Sequence, residues 1–188
     1  MSTVDPRQPV IVGVGQLNDR DHDSEPIDLM TRCTEAALAD TGAADAVRSL
    51  LDAVRVVWGV WPYRDPGRLV ADRVAPGASL RTTITTTGGN QVYDLVIDTS
   101  RRIQRGELDA VVICAAESLR TRRRDRARGG KSAYLPEREG ARPDEVFGSD
   151  RDMFCDAERD IGVDVAARFY AMAETALRHR LGEGVDEH

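Results

Sequence analysis

Over residues 1–118 this chain alternates short apolar, β-branched runs with longer stretches whose apolar residues recur at helical spacing. The runs fall at 9–15, 54–61, 80–87 and 110–116. Each has the length of a strand, and several are apolar on successive residues, as a strand buried on both faces requires. Ile27, Met30, Cys33, Thr34, Ala37 and Leu38 follow a helical period behind Pro26, which suits a first helical turn, and Gly42 ends that helix. Residues 43–51 allow another turn or two, and residues 67–74 fit a short helix. A helix over 90–105 presents Val92, Leu95, Val96, Thr99 and Ile103 along one side before Gly106. Strands alternating with helices imply βαβ units and an α/β fold with a mainly parallel sheet flanked by helices.

After Glu117 the pattern changes. Residues 119–128 hold six arginines, and residues 129–148 mix glycine, proline and charge with little apolar periodicity, which reads as a loop excursion. A last helix is expected over 163–181, with Val165, Phe169, Met172, Ala173, Ala176 and Leu177 as its apolar stripe. The expected organisation is therefore a core over 1–118 and an excursion with a terminal helix over 119–188.

Charge and cysteine usage exclude several classes. A net charge of −6 and a pI near 5.1 make the whole chain a poor electrostatic match for nucleic acid. No apolar run approaches the roughly 20 residues of a membrane helix, and residues 1–8 lack a signal-peptide core. Cys33, Cys114 and Cys155 are far apart and form no C-x-x-C, so neither a disulfide framework nor a zinc site is expected. These features point to a cytoplasmic protein without a metal.

The segments together resemble the N-terminal half of a thiolase, and most closely the sterol-carrier-protein-type branch often labelled acetyl-CoA acetyltransferase. Val10, Ile11, Val12, Gly13, Val14, Gly15 and Gln16 match the first strand, Asp28, Leu29 and Met30 open the first helix, and Asp40, Thr41 and Gly42 close it. The strongest matches are Gly88-Gly89-Asn90, the run from Ile103 to Asp109, and Ala115-Ala116-Glu117-Ser118. The resemblance implies a thiolase-like N-terminal half with the start of a loop excursion, the second copy of the repeated unit being absent. It implies acyl-CoA as substrate, no further cofactor, and a homodimer or a partner thiolase-like subunit. The strand over 80–87 is then the expected dimer edge, since a Thr-rich strand with free backbone groups suits pairing.

By the same resemblance, a cysteine at a helix N-terminus accepts the acyl group as a thiolate, aided by the helix dipole and a nearby histidine. Here the position falls on Gly89, between Gly88 and Asn90, and no cysteine lies between Cys33 and Cys114. His22, His179 and His188 stand outside Gly-His-Pro settings, so turnover through a cysteine acyl-enzyme is not expected of this chain. Gly88, Gly89 and Asn90 have two readings: backbone N–H groups that bind an oxyanion, or a tight turn needing glycine for its backbone angles.

Other features read more plainly. Cys114 and Cys33 fall at apolar positions expected of buried thiols, and Cys155 is the reachable one. The arginines of 120–128 suit either phosphates or a solvated surface. Gly13-x-Gly15 lacks the third glycine of a dinucleotide fingerprint, Asn18 standing there. Trp58, Trp61 and Tyr63 read as core and interface aromatics. The expected function is a thiolase-like acyl-CoA acyltransferase of lipid or sterol side-chain metabolism. Its rivals are a non-catalytic thiolase-like subunit that binds a partner protein or acyl-CoA, and a nucleotide-binding α/β enzyme.

Overall fold

Strand β1 (Leu51–Val56) lies inside the sheet and decides what lies on either side of it. The computed structural model describes residues 5–149, 151–152 and 154–188. They form two compact units, Met1–Ser149 and Asp150–His188. In the first, β1 pairs in parallel with β2 (Arg81–Thr85) and with β3 (Ala110–Cys114). A short β4 (Glu145–Phe147) pairs in parallel with β2, so the four-stranded sheet has the order β3-β1-β2-β4.

Alternation along the strands sorts the two faces. Val54 and Val56 join Ile84, Val112 and Cys114 on one face, packed with Ile27, Met30 and Leu38 of α1 (Pro26–Asp40) and Val70 and Val74 of α3 (Pro66–Val74). Ile27, Met30, Val54, Val56 and Val70 are fully buried, each contributing about 1.5–3 kcal/mol by removal from water. The short α2 (Ala44–Ser49) precedes β1. Arg55 points to the other face, where α4 (Gln91–Gln104) lies. A right-handed connection from β1 to β2 and one from β2 back past β1 to β3 must place their helices on opposite faces, as α3 and α4 are placed.

Several expectations are corrected here. Residues 9–15 form no strand. Val10, Ile11, Val12 and Val14 are exposed, β1 and β3 pair directly, and the segment runs instead along the C-terminal half of α1. There the Val14 N–H donates to Asp40 Oδ2 at 2.9 Å, and a Cβ on Gly13 or Gly15 would collide with the carbonyl oxygens of Ala37 or Cys33. The two glycines thus allow backbone to lie on helix backbone, which an apolar run alone does not disclose.

Nor is β2 a dimer edge. It lies between β1 and β4, and Thr82, Thr83, Ile84 and Thr85 are buried. The excursion returns to cover it. Within that excursion the six-arginine segment is not a loop but helix α5 (Leu119–Ala127). Arginine is a strong helix former, so this helix needs no apolar face of its own.

The strand expected over 54–61 is Leu51–Val56, ending before Trp58 because the chain then turns, with Trp61 N–H bonded to Gly59 O. Helix α4 also divides its expected stripe. Gln91, Leu95 and Thr99 are buried against the sheet, while Val92 and Val96 are 47% and 40% exposed. In the second unit, α6 (Asp156–Asp160) precedes α7 (Ala166–Leu181), on which Phe169, Met172 and Leu177 are exposed.

Candidate functional site

Where neighbouring parallel strands send their connections to opposite faces, their carboxyl ends leave a crevice. Here that point lies between β1 and β2, and the turn holding Gly88, Gly89 and Asn90 follows β2 directly. Side chains tie the turn to its neighbours. Trp58 N–H, just past β1, donates to Thr85 Oγ1 at 2.9 Å. Thr86 N–H donates to Phe147 O at 2.8 Å, and Gln91 Nε2 donates to Thr86 Oγ1 at 3.2 Å. Gly148, at φ +115°, passes against Thr86 and Gln91 where a side chain would not fit. The buried Gln91 leaves its Oε1 without a partner among the described residues.

Helix α4 starts from this turn with Asn90 at its N-cap, and the Asn90 side chain does not cap the helix but donates to Asp94. Gln91 N–H returns to Gly88 O at 3.2 Å, while the Val92 and Tyr93 N–H groups meet no acceptor among the described residues. Neither Gly88 nor Gly89 has a positive φ, so the reading that the turn needs glycine for its backbone angles does not hold. Gly89 is exposed with open space where a Cβ would stand; at Gly88 a Cβ would press only on the movable side chains of Asn90 and Gln91. What glycine provides here is bare backbone facing solvent, beside donors with the partial positive charge of a helix start. Asp94 in the first turn opposes an anion, so the turn suits a neutral carbonyl better than a phosphate.

No thiol of the first unit reaches this place. Cys114 packs with the core on the other face of the sheet, and burial pushes its thiol up to about 12. Cys33 sits in α1 and is half-buried, and Cys155 is exposed in the second unit. The histidines have partners of their own or belong to the second unit. His22 bonds Asp19, and His188 lies between Glu183 and Glu174, whose carboxylates raise its pKa. Among the described residues no group of three or more His, Cys, Asp or Glu could hold a metal ion. Trp61 and Tyr63 are buried, and Trp58, Trp61, Tyr63 and Tyr134 form a chain of ring contacts at 6.4, 5.7 and 5.6 Å.

A feature absent from the expectations underlies the turn. Arg55 is 1% exposed; it donates to Thr99 Oγ1 at 2.6 Å and pairs with Asp98 at 2.7 Å and Glu145 at 3.6 Å. Arg102 bridges the same carboxylates at 2.8 and 2.5 Å, and Phe147 lies under the Arg55 guanidinium at 5.3 Å. This network joins β1, α4 and β4 and so holds both the helix that begins at the turn and the strand that borders it. Its signal in the sequence was a lone arginine inside the run Val54-Arg55-Val56-Val57.

No protein-family profile and no curated protein sequence matches the chain. Among solved structures, it is similar to a monomeric SCP2-thiolase-like protein type 1 from Mycobacterium smegmatis, with 34% identity and a TM-score of 0.51. The match covers 58% of this chain and 23% of that protein, so it relates the chain to a part of a longer molecule. The parallel sheet, the helices on its two faces and this likeness define a thiolase-like fold. No helix among the described residues is long and apolar enough to cross a membrane.

Proposed function

We propose that this chain handles acyl-CoA thioesters on a thiolase-like fold, as an acyltransferase-type protein of cytoplasmic lipid or sterol side-chain metabolism, without a cysteine acyl-enzyme at Gly89. The observation that carries the reading is the exposed Gly88-Gly89-Asn90 turn, open at Gly89 and set at the start of α4. A thioester carbonyl oxygen is a neutral acceptor. It would take the free Val92 and Tyr93 N–H groups as donors, the geometry of an oxyanion hole without its nucleophile. Polarising the carbonyl there favours attack by a thiol that the partner or cosubstrate brings, the acyl–sulfur bond to CoA breaking and the proton of the attacking thiol passing to the departing CoA thiolate.

The test is acetyl-CoA binding by calorimetry together with intact mass. The expected result is saturable binding with no acetyl adduct on the protein. A stable acetyl adduct on Cys155, Cys33 or Cys114 would overturn the non-covalent reading, and absence of binding would overturn acyl-CoA as ligand.

The second reading is a non-catalytic subunit docked on a thiolase-like partner or on a second copy. A specific observation favours it: Val92, Tyr93, Val96 and Ile97 make an apolar strip on the outward side of α4, with Tyr93 75% exposed. Association through α4 replaces association through β2, which the sheet already covers.

A further inference from the structure

We propose that residues 144–148 act as a strap across β2 and the turn before α4, fastened while Asp65 is protonated and loosened when it ionises. The device needs no ligand and does not depend on the acyl-CoA reading. At one end of the strap a single hydroxyl serves two carboxylates. Thr82 Oγ1 lies 3.2 Å from Asp65 Oδ2 and 3.3 Å from Asp144 Oδ2, and it accepts the Asp144 N–H at 3.3 Å. Asp144 Oδ2 also accepts the Thr82 N–H at 2.7 Å. A threonine has one O–H proton, so it cannot donate to both carboxylates at once.

A proton on Asp65 resolves the conflict. Asp65 Oδ2 then donates to Thr82 Oγ1, and the Thr82 proton goes to Asp144 Oδ2. Without that proton, two carboxylates face each other across one oxygen. Asp65 is 5% exposed, whereas Asp144 is exposed and begins the strap, so Asp144 is the one that can leave. The other charges in reach do not undo this. Arg68 Nη2 lies 3.6 Å from Asp144 Oδ2 but donates to Leu80 O at 2.7 Å, and the Arg68 N–H donates to Asp65 Oδ1 at 3.0 Å. Glu137 accepts the Asp65 N–H at 2.7 Å and adds negative charge. Val54, the β1 neighbour of Thr82, is apolar. Burial, reinforced by the Asp144 charge, raises the Asp65 pKa against the opposing bonds from Arg68 and Thr82.

The other end of the strap lies on the turn. Strand β4 runs parallel to β2 from Glu145, beside Thr83, to Phe147, beside Thr85, and Phe147 O accepts the Thr86 N–H at 2.8 Å. Gly148 follows, set so close to the Gln91 amide that a Cβ would stand 2.9 Å from Oε1. Under that cover Oε1 has no partner among the described residues, which subtracts from the stability of the closed strap. An unanswered acceptor at one end and a proton-dependent fastening at the other leave the closed and open states close in free energy. Opening bares Thr86, the Gln91 amide and the start of α4, so ionisation of Asp65 governs access to the turn.

The experiment follows the full chain by NMR from about pH 3 to about pH 8, reading the Asp65 carboxyl carbon for its titration and amide exchange for the strap. The Asp65 midpoint is expected above about 3.9. Across it, protection of the Thr86 amide should fall about tenfold, the factor that a difference of about one pKa unit between closed and open states requires. Protection of Val57, whose N–H donates to Cys114 O at 3.0 Å toward the opposite edge of the sheet, should not follow. Asp65→Asn keeps an acceptor for the start of α3 and supplies an amide donor to Thr82, so it should hold Thr86 protected at every pH. Asp144→Asn should lower the Asp65 midpoint and flatten the Thr86 response. A midpoint at or below about 3.9, a Thr86 amide indifferent to the titration, or an equal loss at Val57 would each overturn the strap.

Discussion

Removing the Arg55 side chain is the most telling change at the scale of one residue. Its charge has no water to fall back on, and the carboxylates of Asp98 and Glu145 would be left with Arg102 alone. Breaking a buried pair typically costs about 3–5 kcal/mol, and the surviving Arg102 contacts place Arg55→Met near about 3 kcal/mol. Urea denaturation measures this, and a loss below about 1 kcal/mol would show that water reaches the network. At Gly89 the expectation is the opposite. With open space at the Cβ position, Gly89→Cys should alter stability by no more than about 0.5 kcal/mol. Its thiol should ionise somewhat below the usual value of about 8.5, because the helix start favours thiolate while Asp94 opposes it. The pH profile of iodoacetamide alkylation reads this, and adding Asp94→Asn should move the profile further down. A profile unchanged by Asp94→Asn would mean that the Asp94 charge does not reach position 89, and a thiol ionising at or above about 8.5 would mean that the helix start does not.

Among the elements, β3 carries a testable consequence in Cys114. Burial keeps that thiol protonated to about 12, whereas in the unfolded chain it ionises near about 8.5. Between those values the folded state holds a proton that the unfolded state has lost, so stability must fall as pH rises through the window. Denaturant midpoints from pH 8 upward should show the decline, and Cys114→Ser should flatten it. At pH 8, a thiol reagent should label the exposed Cys155 faster than the half-buried Cys33 and Cys114. The elements also show what the sequence made legible. Helices α1, α3 and α4 and strands β1, β2 and β3 follow from apolar periodicity, because burial wrote that periodicity. Residues 9–15 carried the same apolar signature without joining the sheet, since pattern reports burial potential and not partner. Strand β4 was hidden by its length of three residues, too short for any period. The turn at Gly88, Gly89 and Asn90 was placed correctly after a strand and before a helix. Its Thr86, Gln91 and Gly148 neighbours came from pairing over distances that no local pattern records.

For the whole molecule, the question is what covers the outward side of α4. Val92, Tyr93, Val96 and Ile97 leave apolar surface on a helix whose inner side holds charge, and such strips drive association. Light scattering across a concentration series should show reversible association, and Val96→Glu with Ile97→Glu should abolish it without unfolding the chain. Association that persists in the double variant would move the contact elsewhere, for instance to the apolar side of α7. Folding order follows from the same architecture. Residue 145 reaches β2 only after the chain has travelled through α4, β3 and α5, so the last strand closes late. Until it does, the Thr-rich backbone of β2 stands open to any other extended peptide. A protease cut between α5 and β4 would return the protein to that condition. The nicked molecule would then be the one that forms fibres, while the intact chain stays in solution.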